Sequence, residues 1–417
     1  MKLAIFEPDQ RTLDSLDSEK YDFYKELYQS DESFKCTSFL LNADKSEFKE
    51  IFDQYIFLPI KTSSFKSVKA YLKNIPLKAS IIFHLDGQFI FQTKFWKDLS
   101  FDIKNRNVKF VVASKSHQKL VQTMLVNINE VFHLPLSLTK KLSLSAFEND
   151  KIETFRNELG VNSDEIVFLY HGPITRQSNL LELTRLVIKL RTLLNLKIHL
   201  WVYGRFDDIA VPLLGKTQLN YEYFQQWQMI VDSLDAQSFV RYFGEQEDVN
   251  EKLVIDSSDW GVFPTSIDSE DFNFSALKLL SMGLPLVLSE WGSHFEFNFP
   301  DYLKHVSLVK DSPFHQVNLN NCAKILISLV QENNKLSQDQ RTSLKQDVIA
   351  QYDKLASRDQ LSAIFNANFN FTQFSEDFIK VEKSFDQNPY APFVDVSTFG
   401  SYNLQFKTIY ESYYSNH

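Results

Sequence analysis

The run Ser258-Asp-Trp-Gly-Val-Phe-Pro-Thr-Ser266, followed by Glu270-Asp-Phe-Asn273, by Lys278-Leu-Leu-Ser-Met-Gly-Leu-Pro-Leu-Val-Leu-Ser289 and by Trp291-Gly-Ser-His-Phe-Glu296, decides the fold. Asp259 to Phe263 is a short apolar run closed by Pro264, the pattern of a buried strand ending in a turn. Glu270 then stands on a loop opening a helix from Phe272, where a carboxylate meets the positive end of the helix dipole. Gly283-Leu-Pro285 turns the chain into the next apolar run, Leu284 to Leu288. Strand, helix and strand in this order make one βαβ unit with parallel strands.

The alternation continues outward from this unit. Ile166 to Tyr170, Lys197 to Val202 and Ser238 to Phe243 read as strands of the same half. Leu3 to Phe6, Cys36 to Leu41, Tyr55 to Leu58, Ala79 to Phe83, Val108 to Ala113 and Val131 to Leu134 form a second series, with helical patterns between. The strongest helix starts at Ser178, where Leu183, Leu186, Val187, Leu190 and Leu194 make one apolar stripe, a core face. The expectation is an α/β chain of two doubly wound, Rossmann-like domains facing a cleft. Pro135 to Asp150 lacks periodicity and reads as the linker, giving an acceptor-side domain over 1–145 and a donor-binding domain over 146–352. Asn320 to Gln331, Ser337 to Gln351 and Asp353 to Phe365 read as C-terminal helices. Residues 353–417 are expected to be a helix and extension packing back on the first domain. The stretch from Val381 to His417 is too aromatic for a disordered tail and reads as a packed extension or a partner-binding surface.

The 417 residues suffice for about two or three self-sufficient cores. A net charge of -9 argues against a general grip on nucleic acid, whose phosphates reward basic surfaces. Cys36 and Cys322, the only cysteines, have neither metal-ligand spacing nor a disulfide framework, which fits a reducing compartment such as the cytoplasm. Charges interrupt every apolar stretch before about 18 residues, so no spanning helix is expected. Between Lys61 and Lys78, Lys66, Lys69 and Lys73 share one helical face and Phe65, Val68 and Leu72 another. Such a helix is either a solvated surface helix or a peripheral contact with the inner face of an anionic membrane.

The stretch Ser258 to Glu296 resembles the donor-binding region of family 4 retaining glycosyltransferases, which have the GT-B fold. In that family a strand ends in Phe-Pro-Ser, a Glu opens the next helix, a second Glu follows eight positions later, and a Gly-x-Pro turn leads into another strand. Phe168-Leu-Tyr-His-Gly172-Pro-Ile-Thr-Arg176-Gln-Ser178 is similar to the family's first donor-domain strand and phosphate loop, and Tyr203-Gly204 and Phe243-Gly244 fall at its next strand-end glycines. Ile81-Ile-Phe-His84-Leu-Asp86, Phe110-Val-Val-Ala-Ser114 and Val131-Phe-His133-Leu-Pro135 resemble acceptor-domain landmarks. Glu7-Pro8-Asp9-Gln10 stands where the family has a Gly-Gly loop.

The resemblance implies a nucleoside-diphosphate sugar as donor, a glycan, lipid-linked or small-molecule acceptor, and neither a metal nor a further cofactor. A diphosphate needs backbone N–H groups at a helix N-terminus and cations to hold its charge. Gly172, Gly292 and Ser293 stand where the family's loop amides face the donor. The family's two clamping cations are replaced by Pro173 and Ser178; Arg176 and Arg205 are either their substitutes or solvated surface arginines. Glu270 stands where the family orients the sugar through its hydroxyls. Lys278 replaces the second Glu, which accepts from the ribose hydroxyls; a Lys has no acceptor, so it pairs either with a phosphate or with Glu270. His84 falls at the family's sugar-contacting His, its alternative being a packed core residue. Two functional classes follow: a retaining hexosyltransferase, with Glu270 and His84 as its catalytic residues, or a catalytically silent GT-B protein that binds carbohydrate or supports a partner enzyme.

Overall fold

The computed structural model describes residues 1–8, 15–29, 32–41, 50–60, 62–87, 89–136, 149–175, 178–206, 221–244, 248–266, 272–309, 317–352 and 358–387. Two six-stranded sheets follow one another along the chain, and all their pairings are parallel. The first holds β1 (Lys2–Glu7), β2 (Lys35–Leu40), β3 (Gln54–Phe57), β4 (Ser80–His84), β5 (Asn107–Val112) and β6 (Val131–His133), in the order β2-β1-β3-β4-β5-β6. The second holds β7 (Ile166–His171), β8 (Ile198–Tyr203), β9 (Val240–Gly244), β10 (Trp260–Phe263), β11 (Leu286–Ser289) and β12 (Leu303–Val306), in the order β12-β11-β10-β7-β8-β9. This is the doubly wound, two-sheet architecture expected from the alternating runs. Strand β12 was not expected: it is a short edge strand whose middle residues, Lys304 and His305, are not buried.

Strands β3, β4, β7, β8, β10 and β11 are buried along their whole length, because helices cover both faces of the sheets. The stripe read from Ser178 becomes helix Leu180–Leu194, with Leu183, Val187 and Leu190 buried. One apolar cluster joins the two halves, running from Leu3 and Ile82 through Leu134 to Val167 and Leu286.

The end of the described chain returns to the first sheet. Helix Arg358–Asn366 contributes Leu361, Ile364 and Phe365 to the shared cluster. The amides of Asn105 and Val108 donate to the carbonyls of Phe371 and Phe369. Phe371, Phe374, Phe378 and Val381 complete the core around Phe83 and Trp96. Lys109, buried on β5, donates from Nζ to Ser80 Oγ at 2.8 Å and to the Phe365 carbonyl at 3.2 Å, and burial lowers its pKa to about 8. The aromatic stretch beyond residue 387 and most of the linker, 137–148, lie outside the described residues. No described helix is long and apolar enough to cross a membrane.

Candidate functional site

In an open parallel sheet a ligand binds beyond the carboxyl ends of the strands, where the strand order reverses. In the second sheet that reversal lies between β7 and β10. The loops there are Gly172 to Thr175 and Pro264 to Ser266. Gly172 has φ +123°, and a Cβ on it would meet Ser275 Oγ at 2.6 Å, so the loop is pressed against the first turn of helix Phe274–Ser281. The two neighbouring strand-end glycines lock together: Gly172 N donates to the Tyr203 carbonyl at 3.0 Å, and Gly204 N to the Gly244 carbonyl at 2.9 Å. The result is a close-packed floor of backbone bare of side chains, whose Gly172 and Gly204 amides donate to the neighbouring strand-end carbonyls.

The helix expected from Phe272 begins at Phe274, because Asn273 caps it, its side chain accepting from Ala276 N at 2.8 Å. Ser293 Oγ accepts from Asn273 N at 2.9 Å, and Asn273 Nδ2 lies 2.7 Å from His294 Nε2. The 3₁₀ turn Gly292–Glu296 is thereby fastened to the helix start, with Gly292 at φ +55°. Burial lowers the His294 pKa to about 4, so the imidazole is neutral.

Lys278 is buried on the same helix, and its Nζ donates to Glu251 Oε1 at 2.8 Å. His171 Nε2 lies 2.7 Å from the same oxygen. Burial alone would raise the Glu251 carboxyl, yet the bonds and charges of His171 and Lys278 outweigh it and hold the pKa at about 2. Sequence reading missed Glu251, which carries no local motif.

Of the positions where cations were expected, Pro173 accepts from Tyr170 Oη at 3.0 Å through its carbonyl, and Ser178 turns its hydroxyl onto the Thr175 carbonyl at 2.5 Å. Arg205 follows β8, its carbonyl accepting from Ile174 N in the loop after β7. Glu270 and Arg176 lie outside the described residues.

His84 ends β4 in the first sheet. It is 1% exposed, its Nε2 is 2.5 Å from Tyr28 Oη, and burial lowers its pKa to about 3. It is a neutral imidazole packed between Tyr24 and Tyr28.

Glu296 carries a contact that sequence reading did not anticipate. Its Oε1 accepts from Lys115 N at 2.7 Å and Ser116 N at 3.2 Å, the open amides of helix Lys115–Met124 that follows β5. Ser116 Oγ donates to the Gly292 carbonyl at 3.2 Å, and His133 Nε2 lies 3.6 Å from Glu296 Oε2. The carboxyl ends of both sheets therefore meet here. Burial pushes the Glu296 pKa up to about 7, against the pull of the Ser116 and Lys115 amides and of the Lys115 and Lys119 charges. Burial and Lys115 lower His133 to about 4, so it stays neutral, and the Tyr352 phenol is raised. A carboxyl with a raised pKa contributes most below its ordinary value of 4.5 and loses that contribution as pH rises to about 7. Glu296→Gln should therefore remove part of the fall in urea-unfolding stability between pH 5 and pH 8. Glu130, also buried and raised to about 7, supplies another part. A stability difference between wild type and Glu296→Gln that does not change with pH would contradict the linkage.

Among the described residues no group of three or more His, Cys, Asp or Glu side chains could hold a metal ion. The sequence matches no protein-family model and no curated protein. Solved structures are similar over most of the chain. Anabaena HepE in complex with UDP and glucose matches with a TM-score of 0.63 at 10% identity, covering 88% of this chain and 100% of its own. Sucrose-phosphate synthase from Thermosynechococcus elongatus gives 0.62 at 10%, covering 87% and 98%. A glycosyltransferase from Rickettsia africae gives 0.60 at 12%, covering 87% and 97%. With two parallel six-stranded sheets whose carboxyl ends meet across a cleft, the chain has the GT-B fold.

Proposed function

We propose that this protein is a retaining glycosyltransferase that moves a hexose from a nucleoside-diphosphate sugar to a glycan, lipid-linked or small-molecule acceptor in the cleft. The observation that carries the reading is the backbone floor at the β7/β10 reversal, where Gly172 is held against the start of helix Phe274–Ser281. That floor suits a diphosphate. Gly292 and Ser293 lie on the turn fastened to the start of that helix, Arg205 follows β8 as a candidate substitute for a lost cation, Arg176 belongs to the same loop by sequence, and Lys278 on the helix is paired with Glu251. Catalysis then rests on positioning and on stabilising charge on the leaving diphosphate. Glu270 orients the sugar through its hydroxyls, whereas the burial of His84 and its bond to Tyr28 favour its packed-core alternative. The donor class agrees with the UDP and UDP-glucose held by Anabaena HepE. In this reading the protein works in the cytoplasm, with the lysines of helix Phe65–Asn74 toward the inner membrane face when the acceptor is lipid-linked.

A second reading, a silent GT-B protein that binds carbohydrate or supports a partner enzyme, is favoured by Lys278, whose charge is matched by Glu251 instead of being left for a phosphate. Thermal shifts with UDP, ADP, GDP and their sugars separate the two, since a ligand bound only by the folded state raises its melting temperature. The transferase reading expects a rise of several degrees with one nucleotide and none without it; no shift with any nucleotide sinks it. Glu270→Ala should abolish sugar transfer while the nucleoside diphosphate still binds. Retained transfer would refute the role given to Glu270.

A further inference from the structure

Glu251 has a feature that its pairing with Lys278 leaves unused. Both of its bonds, from His171 and from Lys278, fall on Oε1. Its Oε2 makes no hydrogen bond among the described residues, although the residue is only 8% exposed. An ionised carboxylate so deeply placed ordinarily commits both oxygens. Glu251 lies in the first turns of helix Asp248–Asp256, directly after β9, on the side of the floor away from the other sheet.

The direction of a bound donor follows from the contact between the sheets. Gly292 and Glu296 touch helix Lys115–Met124, so the cleft toward the acceptor domain opens on the β11 side of the reversal. A sugar to be transferred must lie on that side. With its diphosphate on the Gly172 loop, the nucleoside then extends the opposite way, toward β8, β9 and Glu251. We propose that Glu251 Oε2 accepts hydrogen bonds from the ribose hydroxyls of the donor nucleotide and thereby selects ribonucleotides over deoxyribonucleotides. This rests on the reading of the cleft as a nucleoside-diphosphate site. Lys278 and His171 keep the carboxylate ionised and fix its orientation, so the hydroxyls meet a pre-set acceptor.

Isothermal titration calorimetry of the full chain with UDP, ADP and GDP, each beside its 2′-deoxy form, tests the assignment. Wild type should bind its preferred ribonucleotide on the order of tenfold or more tightly than the deoxy form, as expected for a hydrogen bond to a charged group. Glu251→Gln should narrow that ratio to under about threefold, mainly by weakening the ribonucleotide. Glu251→Asp keeps a negative charge near Lys278 and withdraws the carboxylate by one methylene; it should narrow the ratio too, without leaving Lys278 beside a neutral side chain. Wild type that binds ribonucleotide and deoxyribonucleotide equally overturns the assignment and leaves the cleft reading standing. The assignment also falls if either variant keeps the full ratio or loses both forms to the same degree. Wild type that binds no nucleoside diphosphate overturns both.

Discussion

Gly204→Ala should lower the melting temperature by about 6–12 °C, taking about 3 kcal/mol of strain and roughly 2–4 °C per kcal/mol for a domain of this size. Gly204 has φ +131°, and a Cβ built there lies 2.0 Å from the Gly172 carbonyl oxygen. Both partners are backbone, and both are tied: Gly172 N to the Tyr203 carbonyl and Gly204 N to that of Gly244. No flexible side chain is available to swing away. Gly244→Ala provides the contrast, because Gly244 has φ +72° but no atom within 4 Å of the added carbon. Only the backbone term of about 1–2 kcal/mol applies there. Calorimetry of the two variants separates sterics from backbone preference, and equal shifts would show that the close approach of the two loops does not exist in solution.

Trp291→Ala should cost about 3–5 kcal/mol in urea unfolding, the range for emptying a large aromatic site in a packed core. Trp291 follows β11 of the second sheet, yet it is 0% exposed and belongs to the apolar cluster around Phe83, Trp96 and Phe110 of the first. One side chain thus fastens the two sheets at the mouth of the cleft, next to the Glu296 contact. The Ala variant should also widen the particle in small-angle scattering, whereas Trp291→Phe should keep most of both properties. A loss below about 1 kcal/mol would mean that the site collapses without harm and that Trp291 is no fastener.

Eleven of the twelve strands were legible, the fully buried ones because buried parallel strands are written as continuous apolar runs. The twelfth, at the sheet edge, needs no such run and carries Lys304 and His305. Glycines at strand ends were legible too, since a turn there asks for them. What remained hidden was which loops touch. The bond between Tyr28 and His84 spans 56 residues and that between Glu251 and Lys278 spans 27, and neither separation has a sequence signature. Lys278 illustrates the difficulty: its lack of an acceptor was readable from the residue alone, but the carboxylate beside it arrives from a helix after another strand. Glu296 was readable as part of a turn and unreadable as a cap on a helix that begins 181 residues earlier.

The return of the chain end to the first sheet has a consequence for synthesis. Lys109 waits for the Phe365 carbonyl, 256 positions further along the chain. At 5–20 residues per second the ribosome needs roughly 10–50 s to deliver them. Throughout that interval the nascent first half exposes the surface that Phe371, Phe374 and Phe378 will cover, while the entire second sheet emerges and can close around its own core. The order of completion is therefore inverted relative to the order of translation: the half made first is finished last.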